Sequence, residues 1–142
     1  MAQGLFNLIN ILPLPIWLGM LLFPRARFTE RLVLAYWPYI VLGGVYTSLL
    51  LVALVTGASS FDLSFNTLRG SFSQEWVFLA GWAHYVALDL FVGVWIFRDA
   101  KYWGVNPRLF VLATLFFGPL GLASYLLMRQ RKQKDDPVRI LN

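Results

Sequence analysis

The stretch YWPYIVLGGVYTSLLLVALV, Tyr36 to Val55, contains no charged residue. An α-helix rises about 1.5 Å per residue, so a run of this length reaches across the roughly 30 Å hydrocarbon core of a bilayer. Tyr36, Trp37 and Tyr39 at its start have amphipathic rings of the kind that gather at membrane–water boundaries. Gly43 and Gly44 remove side chains from one short stretch, which lets another helix backbone or a flat ligand come close. Tyr46, Thr47 and Ser48 follow as its polar groups. The stretch reads as a membrane-crossing helix with limits near Leu32 and Thr56.

Three similar runs lie around it, from about Leu5 to Phe23, Trp76 to Phe97 and Leu109 to Met128. The first is interrupted by ILPLPIW, where Pro13 and Pro15 delete backbone donors. It reads as a proline-kinked crossing or a re-entrant hairpin, with Asn7 and Asn10 turned inward. The last carries LFFGPLGLASYLL, in which Pro119 is expected to kink the helix and Gly118 and Gly121 to thin it. The predicted fold class is an all-α integral membrane protein, four transmembrane helices in a small bundle. Residues 1–128 form the bundle and residues 129–142 a basic, mobile tail. The polar, aromatic segment from Gly57 to Glu75 is expected along the interface as a loop or short amphipathic helix.

The composition supports this class. Of 142 residues, 58% are hydrophobic and 13% charged, and the mean hydropathy is +0.63, far from an ordinary soluble domain. Too little chain lies outside the apolar runs for a separate catalytic domain. The absence of cysteine excludes disulfides, thiolate metal sites and iron–sulfur clusters. A single histidine, His84, excludes a bis-histidine haem and a multi-histidine zinc site. No cofactor and no metal is predicted. The net charge of +5 reads as contact with membrane lipids rather than nucleic acid. The start, MAQGLFNLIN, lacks the basic region of a cleaved signal peptide. Orientation is undetermined by charge. With four crossings, Arg69, Arg129, Arg131, Lys132, Lys134 and Arg139 fall on one side, and Arg25, Arg27, Arg31, Arg98, Lys101 and Arg108 on the other, six against six.

The third span places a histidine and an aspartate within GWAHYVALDLFVG, Gly81 to Gly93. An ionised carboxylate at the centre of a membrane helix costs roughly 2.5–3.5 kcal/mol, so Asp89 must be protonated or partnered. Candidate partners are Tyr46, Thr47, Ser48, Thr114, Ser124, Tyr125, Asn7, Asn10 and the imidazole. At about 100° per residue, His84 and Asp89 stand roughly 140° apart on the helix, so they form no intrahelical pair. Trp82, Tyr85 and Asp89 share one face instead. These polar groups are either interhelical hydrogen bonds or chemistry, and Asp99 is expected in an interfacial charge pair beside Arg98 and Lys101.

PYIVLGGVY in the second span, WAHYVALDLFVGVWIFRDA in the third and LFFGPLGLASYLL in the fourth resemble the abscisic-acid-deficient-four-like family. These are small membrane proteins related to plant neoxanthin synthase. The resemblance follows order and spacing over roughly Phe23 to Met128. It implies carotenoid chemistry: the plant members are associated with opening the epoxide of violaxanthin to the allenic alcohol of neoxanthin. That isomerisation needs an acid at the epoxide oxygen and a base at the adjacent carbon. The resemblance makes Asp89 the acid and His84 the base, with Trp82, Tyr85, Gly43, Gly44 and Tyr46 lining the ligand. Plant members begin with a transit extension not seen here, which implies a bacterial or cyanobacterial member in a plasma membrane or thylakoid. The leading expectation is therefore a membrane protein that binds a carotenoid or other isoprenoid lipid and isomerises it. The alternative is a non-enzymatic subunit that assembles or stabilises a pigment-bearing or other larger membrane complex. A proton-coupled carrier is disfavoured, because four short helices leave little room for alternating access.

Overall fold

The computed structural model describes residues 1–57, 62 and 64–135, and the regular structure among them is helical throughout. The helices are α1 (Ala2–Ile11), α2 (Leu14–Leu22), α3 (Arg27–Val33), α4 (Trp37–Val55), α5 (Phe65–Ser71), α6 (Glu75–Tyr102), α7 (Arg108–Phe117) and α8 (Pro119–Asp135). Three stretches are long and apolar enough to cross a membrane: Ala2–Leu22, Arg27–Val55 and Glu75–Tyr102. The 28 residues of α6 alone extend about 42 Å. Ile40, Val55 and Leu109 are 71%, 86% and 71% exposed. Apolar faces of this kind suit lipid, where burying them against protein gains little.

Prolines shape the first stretch. Pro13 and Pro15 have no N–H, so two rungs of the i→i−4 ladder are missing. The Leu12 N–H still reaches the Leu8 carbonyl at 3.0 Å, and helix resumes at Leu14. The expected fourth span is not one kinked helix. It divides at Gly118 into α7 and α8, of 10 and 17 residues. The cause is backbone: Gly118 has φ +37° and ψ −93°, outside any helical region, and Pro119 suits a first helical position because its missing N–H would have no partner there. Beyond Met128, α8 continues to Asp135. The remainder of the expected tail, 136–142, and residues 58–61 and 63 of the interfacial segment lie outside the described residues. Within that segment α5 forms a short helix with no buried residue.

The helices gather into two units. One comprises Met1–Leu14 and Ala35–Leu88. Its core is Leu49, Leu79 and Ala80, against which Leu5, Phe6, Val45, Tyr46 and Trp76 pack. The other comprises Pro15–Leu34 and Asp89–Asn142, and small residues set its close contacts. The ring of Trp17 lies directly on Gly93, leaving no room for a β-carbon. Gly19 faces Thr29, whose hydroxyl donates to the Phe23 carbonyl at 2.8 Å and ties down the turn after α2. Gly121 lets α8 approach the backbone of Thr114 on α7. In hydrocarbon such contacts hold by packing, since lipid tails are as apolar as the side chains they would replace.

Candidate functional site

In the first unit, α6 carries an aromatic ladder. Phe78, Trp82 and Tyr85 follow at helical spacing, with ring centroids 6.2 Å and 5.6 Å apart. Phe6 of α1 packs on Trp82 at 5.5 Å. The Trp82 indole N–H donates to Asn10 Oδ1 at 3.2 Å, and Asn10 Nδ2 donates to the Phe6 carbonyl at 2.7 Å. Asn10 is thus turned inward, as its position in an apolar run requires. Asn7 is not: it is exposed and accepts from Gln3 Nε2 at 3.0 Å, because Gln3 sits one turn earlier on the same outer face. His84 is exposed, and its ring lies 5.4 Å from that of Tyr46 on α4. Among the described residues no group hydrogen-bonds the imidazole.

Gly43 and Gly44 do not receive a helix. A β-carbon on either would have open space around it. Gly44 instead lines an apolar furrow of about 530 Å³, with Val41, Val45, Ser48 and Val52 on α4, Leu5 on α1 and Trp76 on α6. Of the expected ligand-binding residues only Gly44 lines this furrow. Gly43, Tyr46, Trp82 and Tyr85 do not. The furrow's wall on α4 repeats at intervals of three and four residues, a signal present in the sequence but masked because every face of α4 is apolar.

In the second unit, the half-buried Asp89 lies against the break between α7 and α8. Its Oδ1 and Oδ2 stand 2.7 Å and 3.2 Å from where a β-carbon on Gly118 would be. The carboxyl group therefore sits beside the start of α8, the positive end of that helix's dipole. Three hydroxyls of the sequence-derived partner set donate elsewhere. Thr114 donates to the Phe110 carbonyl at 2.8 Å, Ser124 to the Gly121 carbonyl at 3.0 Å, and Tyr125 to Asp99.

Asp99 forms a charge pair, as expected, but with a residue distant in sequence. It does not pair with Arg98 or Lys101. Its Oδ2 accepts from Arg129 Nε at 2.8 Å and from the Tyr125 hydroxyl. The Arg129 guanidinium lies 5.6 Å from the Trp103 ring centre, and the edges of Trp95 and Phe110 enclose Tyr125. Lys101 turns instead to Glu30 at 3.4 Å and lies 4.5 Å over the Phe97 ring. The available clue was the four-residue spacing of Tyr125 and Arg129, which places both on one face of α8.

A family model described as ABA DEFICIENT 4-like matches residues 4–125. Protein ABA DEFICIENT 4, chloroplastic, from Arabidopsis thaliana is 24% identical over 135 residues, covering 90% of this chain and 61% of that protein. The chain thus spans about three fifths of the length of that relative. No solved structure matches the chain.

Proposed function

The chain belongs to the ABA DEFICIENT 4-like family, and from that premise we propose that it is an integral membrane protein binding a carotenoid or related isoprenoid. In this reading α7 and α8 together make a fourth crossing, with the break at Gly118 turned toward protein. The observation that carries the binding role is the apolar furrow over Gly44. It is open along α4, apolar apart from Ser48 and the backbone, and large enough for a length of isoprenoid chain.

The finer proposal is an isomerase. Asp89, as a neutral acid, gives its proton to an epoxide oxygen and the carbon–oxygen bond breaks. His84, as a neutral base, takes a proton from the adjacent polyene carbon and the allenic alcohol results. Proton exchange with solvent restores both groups, and no electrons are gained or lost. The exposure of His84 and the close approach of the Asp89 carboxyl to Gly118 are the observations these roles start from.

The test is purification of the protein in mild detergent, extraction of bound pigment, and incubation of the reconstituted protein with an epoxy-carotenoid. Bound isoprenoid and an allenic product are the expected results. Absence of both sinks the enzyme reading, and co-purification with larger subunits points to the assembly role. Asp89→Asn and His84→Ala are each expected to abolish turnover while the protein still folds. Normal turnover in either variant removes that residue from the mechanism.

A further inference from the structure

One end of the second unit holds a cleft of a different character. About 710 Å³ in volume, it is lined by Arg25, Lys101, Arg108 and Asn106 together with Leu22 and Phe23. Two apolar stretches stop at this cleft, α2 at Leu22 and α6 at Tyr102, and α7 starts there at Arg108. A cavity at the ends of such stretches lies at the boundary between hydrocarbon and water. Its chemistry is cationic. Lys101 is matched by Glu30 at 3.4 Å, but Arg25 and Arg108 form no ion pair among the described residues. Arg108 Nη2 donates to the Leu22 carbonyl at 3.4 Å, which holds the guanidinium at the rim, and Asn106 Oδ1 accepts from the Arg108 N–H at 3.2 Å. The first turn of α7 adds the partial positive charge of a helix start.

We propose that this cleft binds the anionic headgroup of a phospholipid. The planar, multi-donor guanidinium groups of Arg25 and Arg108 match a phosphate diester, and Lys101 supplies a further charge. Leu22 and Phe23 at the margin suit the first carbons of an acyl chain. A lipid is the fitting source of the anion because the cleft opens where headgroups reside. The inference rests on the membrane-crossing reading and is independent of carotenoid chemistry.

The full chain in mild detergent, titrated with short-chain phosphatidylglycerol or phosphatidylcholine and followed by native mass spectrometry, tests it. The anionic lipid is expected to bind in preference. Arg25→Ala with Arg108→Ala is expected to weaken it about 10- to 25-fold, at about fivefold per basic residue. Arg25→Lys with Arg108→Lys keeps the charge but not the forked donors, and is expected to lose affinity by less than the double alanine variant. Arg131→Ala with Lys132→Ala removes equal charge from the exposed end of α8 and is expected to change affinity by about twofold or less. Equal loss in that second pair, or equal binding of the zwitterionic lipid, overturns the proposal. Inorganic phosphate binding alone as tightly as the lipid overturns the lipid assignment in favour of a free anion. If the double alanine variant loses its helical circular dichroism, the Arg25→Ala and double-lysine variants decide by the same criteria.

Discussion

Replacing Gly118 with alanine tests how Asp89 is held. At φ +37° an L-residue is strained, and such conformations cost of order 1–3 kcal/mol. The new methyl group would also meet the Asp89 carboxyl, 2.7 Å from Oδ1 and 3.3 Å from Cγ. Displacing a packed side chain costs a further ~1–3 kcal/mol. The sum is about 2–6 kcal/mol, enough to lower the unfolding midpoint of a small protein substantially. The two contributions separate in a double-mutant cycle. On an Asp89→Ala background the collision is gone and only the backbone strain remains, so Gly118→Ala should cost about 1–3 kcal/mol less there. Unfolding in detergent, titrated with sodium dodecyl sulfate and followed by tryptophan fluorescence, measures all four proteins. If Gly118→Ala costs the same on both backgrounds, the carboxyl group does not lie against the break and the argument for its seat fails.

Other expectations concern separate parts of the molecule. Gly44→Leu has room for its side chain but fills the furrow; stability should stay within about 0.5 kcal/mol, while bound isoprenoid is lost on extraction. Retention at the normal level would place the ligand elsewhere. Arg129→Ala removes a charge-assisted hydrogen bond from Asp99, whose side chain is only 18% exposed. A loss of about 1.5–3 kcal/mol in the same unfolding assay is expected, with Arg129→Lys restoring only part because the Nε donor is gone. Asp62 accepts from the Thr67 hydroxyl at 2.6 Å, and from the Ser64 backbone and hydroxyl at 2.9 Å and 3.0 Å. These bonds, that of Thr67 foremost, hold its carboxyl below the ordinary value of 3.8. The folded form is the more acidic one, so the turn keeps its full support above pH 3.8 and loses it as pH falls through the depressed value. Carbon-13 titration should show Thr67→Val moving this carboxyl upward toward 3.8, and an unchanged midpoint would refute the hydrogen-bond cause.

Much of the helix pattern is legible in the residues. The α4 run needs only length and apolarity, and Pro13 and Pro15 interrupt the first stretch wherever its neighbours lie, because a missing N–H is a local fact. Asn10 was similarly readable as an inward group. The break at Gly118 was half readable. Gly-Pro announces an irregularity, but a kink and a full stop differ by a backbone angle that packing selects. Asp99 shows the limit of local reasoning: its sequence neighbours include two basic residues, yet its partners come 26 and 30 residues later.

The sequence by itself determined an apolar, helical, cysteine-free chain with one imidazole and one carboxyl group set deep in its third apolar run. These follow from chain length, hydropathy and the period of the helix, which act along the chain. Tertiary structure decided what those groups face. Gly44 opens onto a furrow instead of a helix, His84 lies exposed beside Tyr46, and Asp89 rests on the backbone of Gly118. Where every face of a helix is apolar, the pattern carries no direction. Side-chain shape and the few polar contacts then choose the neighbours, and those act through space.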